Sequence, residues 1–109
     1  SFDSTKLLRL CCNSCKVGDI SSLVNLTYLE CNKSDICNVD TLVNLKTLHC
    51  SYTEISNVNT LTTLEILTCF SSKIKDISNL KNLHELSSGS TNIKDVSNIN
   101  TLVYLNIND

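Results

Sequence analysis

Apolar side chains recur along this chain at a fixed interval. Leu7, Leu26, Leu45, Leu64, Leu83 and Leu102 are spaced by 19 residues, and so are Leu10, Leu29, Leu48, Leu67, Leu86 and Leu105. A third column reads Cys12, Cys31, Cys50, Cys69, Ser88, Ile107, and a fourth Val17, Ile36, Ile55, Ile74, Ile93. The fifth is Ile20, Val39, Val58, Ile77, Val96 and the sixth Leu23, Leu42, Leu61, Leu80, Ile99. With Cys counted as apolar, Ser88 is the one polar residue in the six columns. Five units run from residue 7 to 101 without insertion or deletion, and a sixth is cut at Asp109. A period of 19 is too long for a heptad and belongs to stacked solenoid repeats.

The two halves of the unit, numbered from its first Leu, have different periods. Leu29-Glu30-Cys31 alternates, as a short strand does when every second side chain points inward. Ile36, Val39, Leu42 and Leu45 then follow at spacings of three, which matches tight 3₁₀-like turns. Position 13, occupied by Asp19, Asn38, Asn57, Asp76 and Asp95, supplies side-chain caps for those turns. One unit buries too little to stand alone, so stability is expected from stacking. The expected architecture is an α/β-type solenoid, a curved right-handed superhelix. Short parallel strands line its concave face and 3₁₀ or turn segments its convex face, with little or no α-helix. Residues 1–6 read as a lead-in and residues 7–109 as a single repeat domain.

The run Ile74-Lys75-Asp76-Ile77-Ser78-Asn79-Leu80-Lys81-Asn82-Leu83, followed by Leu86, resembles the leucine-rich repeats of the bacterial internalins. The likeness covers residues 7–109. Two features differ: the unit is about three residues shorter than is usual there, and Cys15, Ser34, Thr53, Ser72 and Thr91 replace the family's Asn after the strand. The resemblance implies a leucine-rich-repeat scaffold that is not an enzyme and binds a protein partner on its concave face. It also implies a secreted or cell-surface setting.

Composition narrows this further. Ser, Asn and Thr are abundant, but 17 Leu and a mean hydropathy of +0.03 exclude a disordered tail. A net charge of −2 and a pI near 5.6 leave no basic footprint for nucleic acid or an anionic membrane. No run approaches the ~18 apolar residues of a membrane span. The chain starts at Ser1, which leaves upstream processing or truncation open.

Cysteine carries the most chemical-looking pattern. Cys12-Asn13-Ser14-Cys15 is a CxxC with Cys11 beside it, a spacing that can bind zinc or exchange thiols. Yet Cys12 belongs to an inward column, Cys15 to a column of Ser and Thr, and no second CxxC or nearby His completes a tetrahedral site. Cys12, Cys31, Cys50 and Cys69 should stack ~4.8 Å apart inside the core, a line that suits neither a tetrahedral metal nor disulfide torsions. They read as small buried hydrophobes. Seven Cys with no disulfide framework point to a reducing, cytoplasmic setting, opposite to what the resemblance implies. Cys11 and Cys37 lie off the core columns and are expected to be accessible.

Catalysis finds no support. Position 9 (Cys15, Ser34, Thr53, Ser72, Thr91) reads as a structural column whose hydroxyls bond leftover backbone groups. No Ser has a His and an Asp in a plausible constellation, and Gly18 and Gly89 make no phosphate loop. No catalytic residue, metal ligand or cofactor is assigned. The sequons Asn25-Leu26-Thr27 and Asn32-Lys33-Ser34 are chance matches in so Asn- and Thr-rich a chain. Lys73, Lys75, Lys81 and Lys94 form a solvated basic strip.

The aromatics are more informative, because none falls in a core column. Positions 3, 5 and 7 should face outward on the strands. Tyr28, Glu30, His49, Tyr52, Ile66, Phe70, Glu85 and Tyr104 are the residues expected to bind a partner there, since clustered exposed aromatics mark partner sites. Aromatics covering an exposed sheet for their β-propensity alone are the competing explanation. Two other functions stay open: a structural module that self-associates through uncapped terminal repeats into homo-oligomers, or the recognition fragment of a larger effector enzyme. Phe2 is the residue available to plug the first unit, while the layer of Leu102, Leu105 and Ile107 is expected to be open.

Overall fold

The computed structural model describes residues 4–93 and 95–107. Each unit contributes one short strand: β1 (Arg9–Cys11), β2 (Tyr28–Glu30), β3 (Thr47–His49), β4 (Ile66–Thr68), β5 (Glu85–Ser87) and β6 (Tyr104–Asn106). They pair in parallel and in sequence order, with a register that sets residues 19 apart side by side, as Leu29 beside Leu48. The ladder runs one residue past the strands, where the N–H groups of Cys31 and Cys50 donate to the carbonyls of His49 and Thr68, each at 2.8 Å. A single 3₁₀ turn, Ser4–Lys6, precedes β1, and the described residues contain no α-helix.

The convex side is built from turns rather than from continuous 3₁₀ helix. The Leu42 N–H donates to the Val39 carbonyl at 3.0 Å and the Leu45 N–H to the Leu42 carbonyl at 3.2 Å; Val58-Leu61-Leu64 and Ile77-Leu80-Leu83 repeat the pattern. Each central Leu closes one turn and opens the next, so the inward side chains come every third residue. The expected caps are present. The Oδ1 of Asp19, Asn38, Asn57, Asp76 and Asp95 accepts the N–H two residues on, at 2.8 to 2.9 Å. These bonds hold the Asp19 and Asp76 carboxyls below their ordinary value.

All six apolar columns are at most 1% exposed from Leu26 to Leu80. Burial weakens at both ends, where a unit has only one neighbour. Val17, expected in the core, is 39% exposed, and Leu7, Leu10 and Leu23 are half-buried. Leu105 and Ile107 are 44% and 42% exposed, as the open-layer expectation had it. Phe2, Lys94 and Asn108 lie outside the described residues.

Side-chain-to-backbone bonds stitch one unit to the next. At position 16, Thr41 and Thr60 donate to the Ser21 and Asp40 carbonyls, at 2.7 and 2.8 Å. At position 19, Asn44 donates to the Val24 carbonyl and Thr63 to that of Val43, at 3.0 and 3.1 Å. Position 9 does what its hydroxyls suggested: the Thr53 Oγ1 donates to the Cys50 carbonyl at 2.7 Å, and Ser72 accepts the Ile74 N–H at 3.3 Å. Asp35 adds a further tie, accepting the Val17 and Gly18 N–H groups.

Candidate functional site

Strands β2 to β5 bury their middle residue and leave the flanking two partly or fully exposed. Position 3 therefore forms a row across the sheet, Arg9, Tyr28, Thr47, Ile66, Glu85, Tyr104, with position 5 beside it. Six of the eight expected binding residues, Tyr28, Glu30, His49, Ile66, Glu85 and Tyr104, lie in these two rows. Tyr52 and Phe70 sit just past the strand ends.

The β1–β2 end is interlocked. The Arg9 guanidinium lies 4.0 Å from the Tyr28 ring centre, and His49 meets that ring edge-on at 5.8 Å. Glu30 accepts the Asn13 amide and, at 2.7 Å, the Tyr28 hydroxyl. Those two bonds hold the Glu30 carboxyl below its ordinary value, and the second pushes the Tyr28 hydroxyl up.

Position 7 departs from the simple outward expectation. The Asn13 Oδ1 accepts the Asn32 N–H and the Asn32 Oδ1 accepts the Ser51 N–H, both at 2.8 Å; the Ser51 Oγ accepts the Phe70 N–H at 3.0 Å. An amide or hydroxyl here serves the backbone of the following unit, so Ser51 turns inward and is 6% exposed. Gly89 is buried as well. Phe70 ends this ladder, because a phenyl ring cannot accept the next N–H. It is partly exposed instead.

Position 8 holds a feature that no residue type announces. Ser14, Lys33, Tyr52, Ser71 and Ser90 all have φ between 52° and 60°. Left-handed backbone normally calls for Gly or Asn, and neither occurs in this column, so nothing in the residue types signalled it. Tyr52 is the bulkiest of the five and is 58% exposed, with the Lys33 ammonium 5.6 Å from its ring centre. Its N–H donates to the Phe70 carbonyl at 2.7 Å, which sets the two aromatic residues in adjacent turns.

The cysteines are free thiols, with the core column buried and Cys11 and Cys37 accessible as expected. Cys12, Cys31, Cys50 and Cys69 are buried; Cys11, Cys15 and Cys37 are exposed. Burial pushes the Cys31 and Cys69 thiols up to about 12 and the Cys50 thiol well above its ordinary value, which keeps them protonated and unreactive. Ser88 continues the column in the fifth unit, 1% exposed, and its Oγ has no hydrogen-bond partner among the described residues. Among those residues no group of three His, Cys, Asp or Glu could hold a metal ion, and no helix is long and apolar enough to cross a membrane.

No protein-family model matches the sequence, and no curated protein matches it. Solved structures do match. An internalin of Listeria monocytogenes, InlF, superposes with a TM-score of 0.70 at 29% identity, over 84% of this chain and 32% of its own. Internalin C2 of the same organism gives 0.65 at 28% identity, over 79% and 44%. The functional domain of InlJ, described as including a cysteine ladder, gives 0.65 at 23% identity over 98% and 32%. The chain thus spans a third to under a half of the length of these neighbours. Their fold is of the kind that serves as a protein-interaction scaffold. With six parallel strands on a 19-residue period and these neighbours, the chain is an internalin-like leucine-rich-repeat solenoid.

Proposed function

We propose that this solenoid is a non-enzymatic recognition scaffold that binds a protein partner on its concave strand face, with Tyr52 and Phe70 at the centre of the contact. The observation that carries this reading is that both residues stand where the backbone favours something else. Tyr52 holds a bulky side chain at φ 59°, and Phe70 interrupts a ladder that Asn or Ser would continue. Residues that break a local rule without a structural gain concentrate at functional sites. Partly exposed aromatics are also the side chains that anchor protein interfaces.

The same observation supplies a clean test. Tyr52→Gly relieves the left-handed backbone, and Phe70→Asn offers an acceptor to the next unit. The double variant should fold at least as well as the parent while losing both rings. Peptide ligands selected from a random display library on the parent chain are expected to lose binding to this variant and to keep it for Lys75→Ser on the basic strip. Ligands that bind the double variant as tightly as the parent would overturn the reading.

A further inference from the structure

The strand face is chemically lopsided. At its β1–β2 end the charged groups have partners: Arg9 stacks on Tyr28, and Glu30 accepts from Asn13 and Tyr28. At its other end the Glu85 carboxylate makes no hydrogen bond or ion pair among the described residues, while the nearby Glu65 shares Lys46 at 3.6 Å. The register sets Glu85 between Ile66 and Tyr104, on strands ~4.8 Å to either side. Glu65, Ile66, His84, Glu85 and Val103 line a cleft of about 250 Å³. Val103 is 82% exposed, and Tyr104 is 52% exposed beside it.

A cleft with apolar walls and an unpartnered carboxylate has a definite complement. An anion entering it would meet Glu65 and Glu85. A purely apolar group would strip water from Glu85 and return nothing, which is costly for a charge. A long cationic side chain satisfies both parts, with its methylenes against Ile66 and Val103 and its head on the carboxylate. The planar guanidinium suits this site better than an ammonium, because it can fork onto a carboxylate and lie against the Tyr104 ring. We propose that the partner of the strand face inserts an arginine into the cleft between β4, β5 and β6, with Glu85 as its counter-ion. This inference rests on the strand-face reading above and adds the chemistry of the partner.

The test uses the full chain and a fluorescein-labelled Gly-Ser peptide carrying two arginines, with lysine and glutamate versions of the same peptide. The arginine peptide should bind in an ionic-strength-dependent way and shift the amide resonances of Ile66, Glu85 and Val103. Glu85→Gln should weaken it by about tenfold, as loss of a charged hydrogen-bonded contact does. Glu54→Gln makes the same charge change at an exposed residue outside the cleft and should leave the affinity unchanged. The lysine peptide should bind more weakly and the glutamate peptide not at all. Equal affinity for the parent and Glu85→Gln, or equal losses in Glu85→Gln and Glu54→Gln, would overturn the proposal, as would a lysine peptide that binds as well as arginine. These failures leave the strand-face reading standing, since that reading falls only if ligands keep binding the Tyr52/Phe70 double variant.

Discussion

Five residues with φ between 52° and 60° cost this fold stability that glycine would return. A side chain in left-handed backbone is strained by about 1–2 kcal/mol, and glycine gives back only part of this in unfolded-state entropy. Ser71→Gly is therefore expected to stabilise the chain by about 1 kcal/mol, read as a higher urea midpoint at unchanged slope. Ser88 is a second residue-scale weakness, since a buried hydroxyl without a partner costs about 1–3 kcal/mol. Ser88→Cys fits the column it stands in, and the urea midpoint should again rise. A fall would mean that the hydroxyl is better satisfied than its surroundings indicate.

Ladders are the element-scale device of this solenoid, and the cysteine ladder makes two measurable statements. Native protein should give up three of its seven thiols to a labelling reagent near neutral pH, those of Cys11, Cys15 and Cys37, and all seven only in denaturant. Labelling of Cys31 or Cys50 in the native state would contradict their burial. The second statement concerns alkali. Cys31 and Cys69 hold their protons up to about 12 in the fold, whereas a cysteine in the unfolded chain releases its proton near 8.5. Above that value the unfolded state binds fewer protons than the native state. Stability is thus fully present below about pH 8.5 and should fall as the pH rises toward 12. Cys31→Ala with Cys69→Ala, compared with the parent at each pH, should flatten this fall.

At the scale of the whole molecule, each strand among the described residues touches only the strands of its neighbouring units, so stability is graded along the solenoid. Leu67 is fully buried between two complete neighbours, whereas Leu105 is 44% exposed. Leu67→Ala should cost about 2–5 kcal/mol, the range for a buried leucine whose cavity closes only partly. Leu105→Ala should cost about 1 kcal/mol or less. Amide exchange should follow the same gradient, slowest in β3 and β4. Uniform exchange along the chain would show that the units unfold as one block.

The repeat was legible in the sequence because it is a packing rule: a 19-residue register with inward side chains at fixed positions can be met only by stacking equivalent units. The strands, the inward cysteine column, the position 13 caps and the position 9 hydroxyls all follow from that periodicity, since each depends on a residue's type and its place in the unit. Which columns would be outward was legible for positions 3 and 5 and not for position 7, where Asn32 and Ser51 reach a backbone group 19 residues away. The left-handed turn at position 8 was hidden as well, because Ser, Lys and Tyr carry no mark of positive φ. Partnering across units was beyond the sequence for the same reason. Glu30 and Glu85 are the same residue type on one face, yet one is bonded to Asn13 and Tyr28 while the other stands between Ile66 and Tyr104. Periodicity specifies which residues point inward; only the assembled neighbours decide which outward groups already have partners.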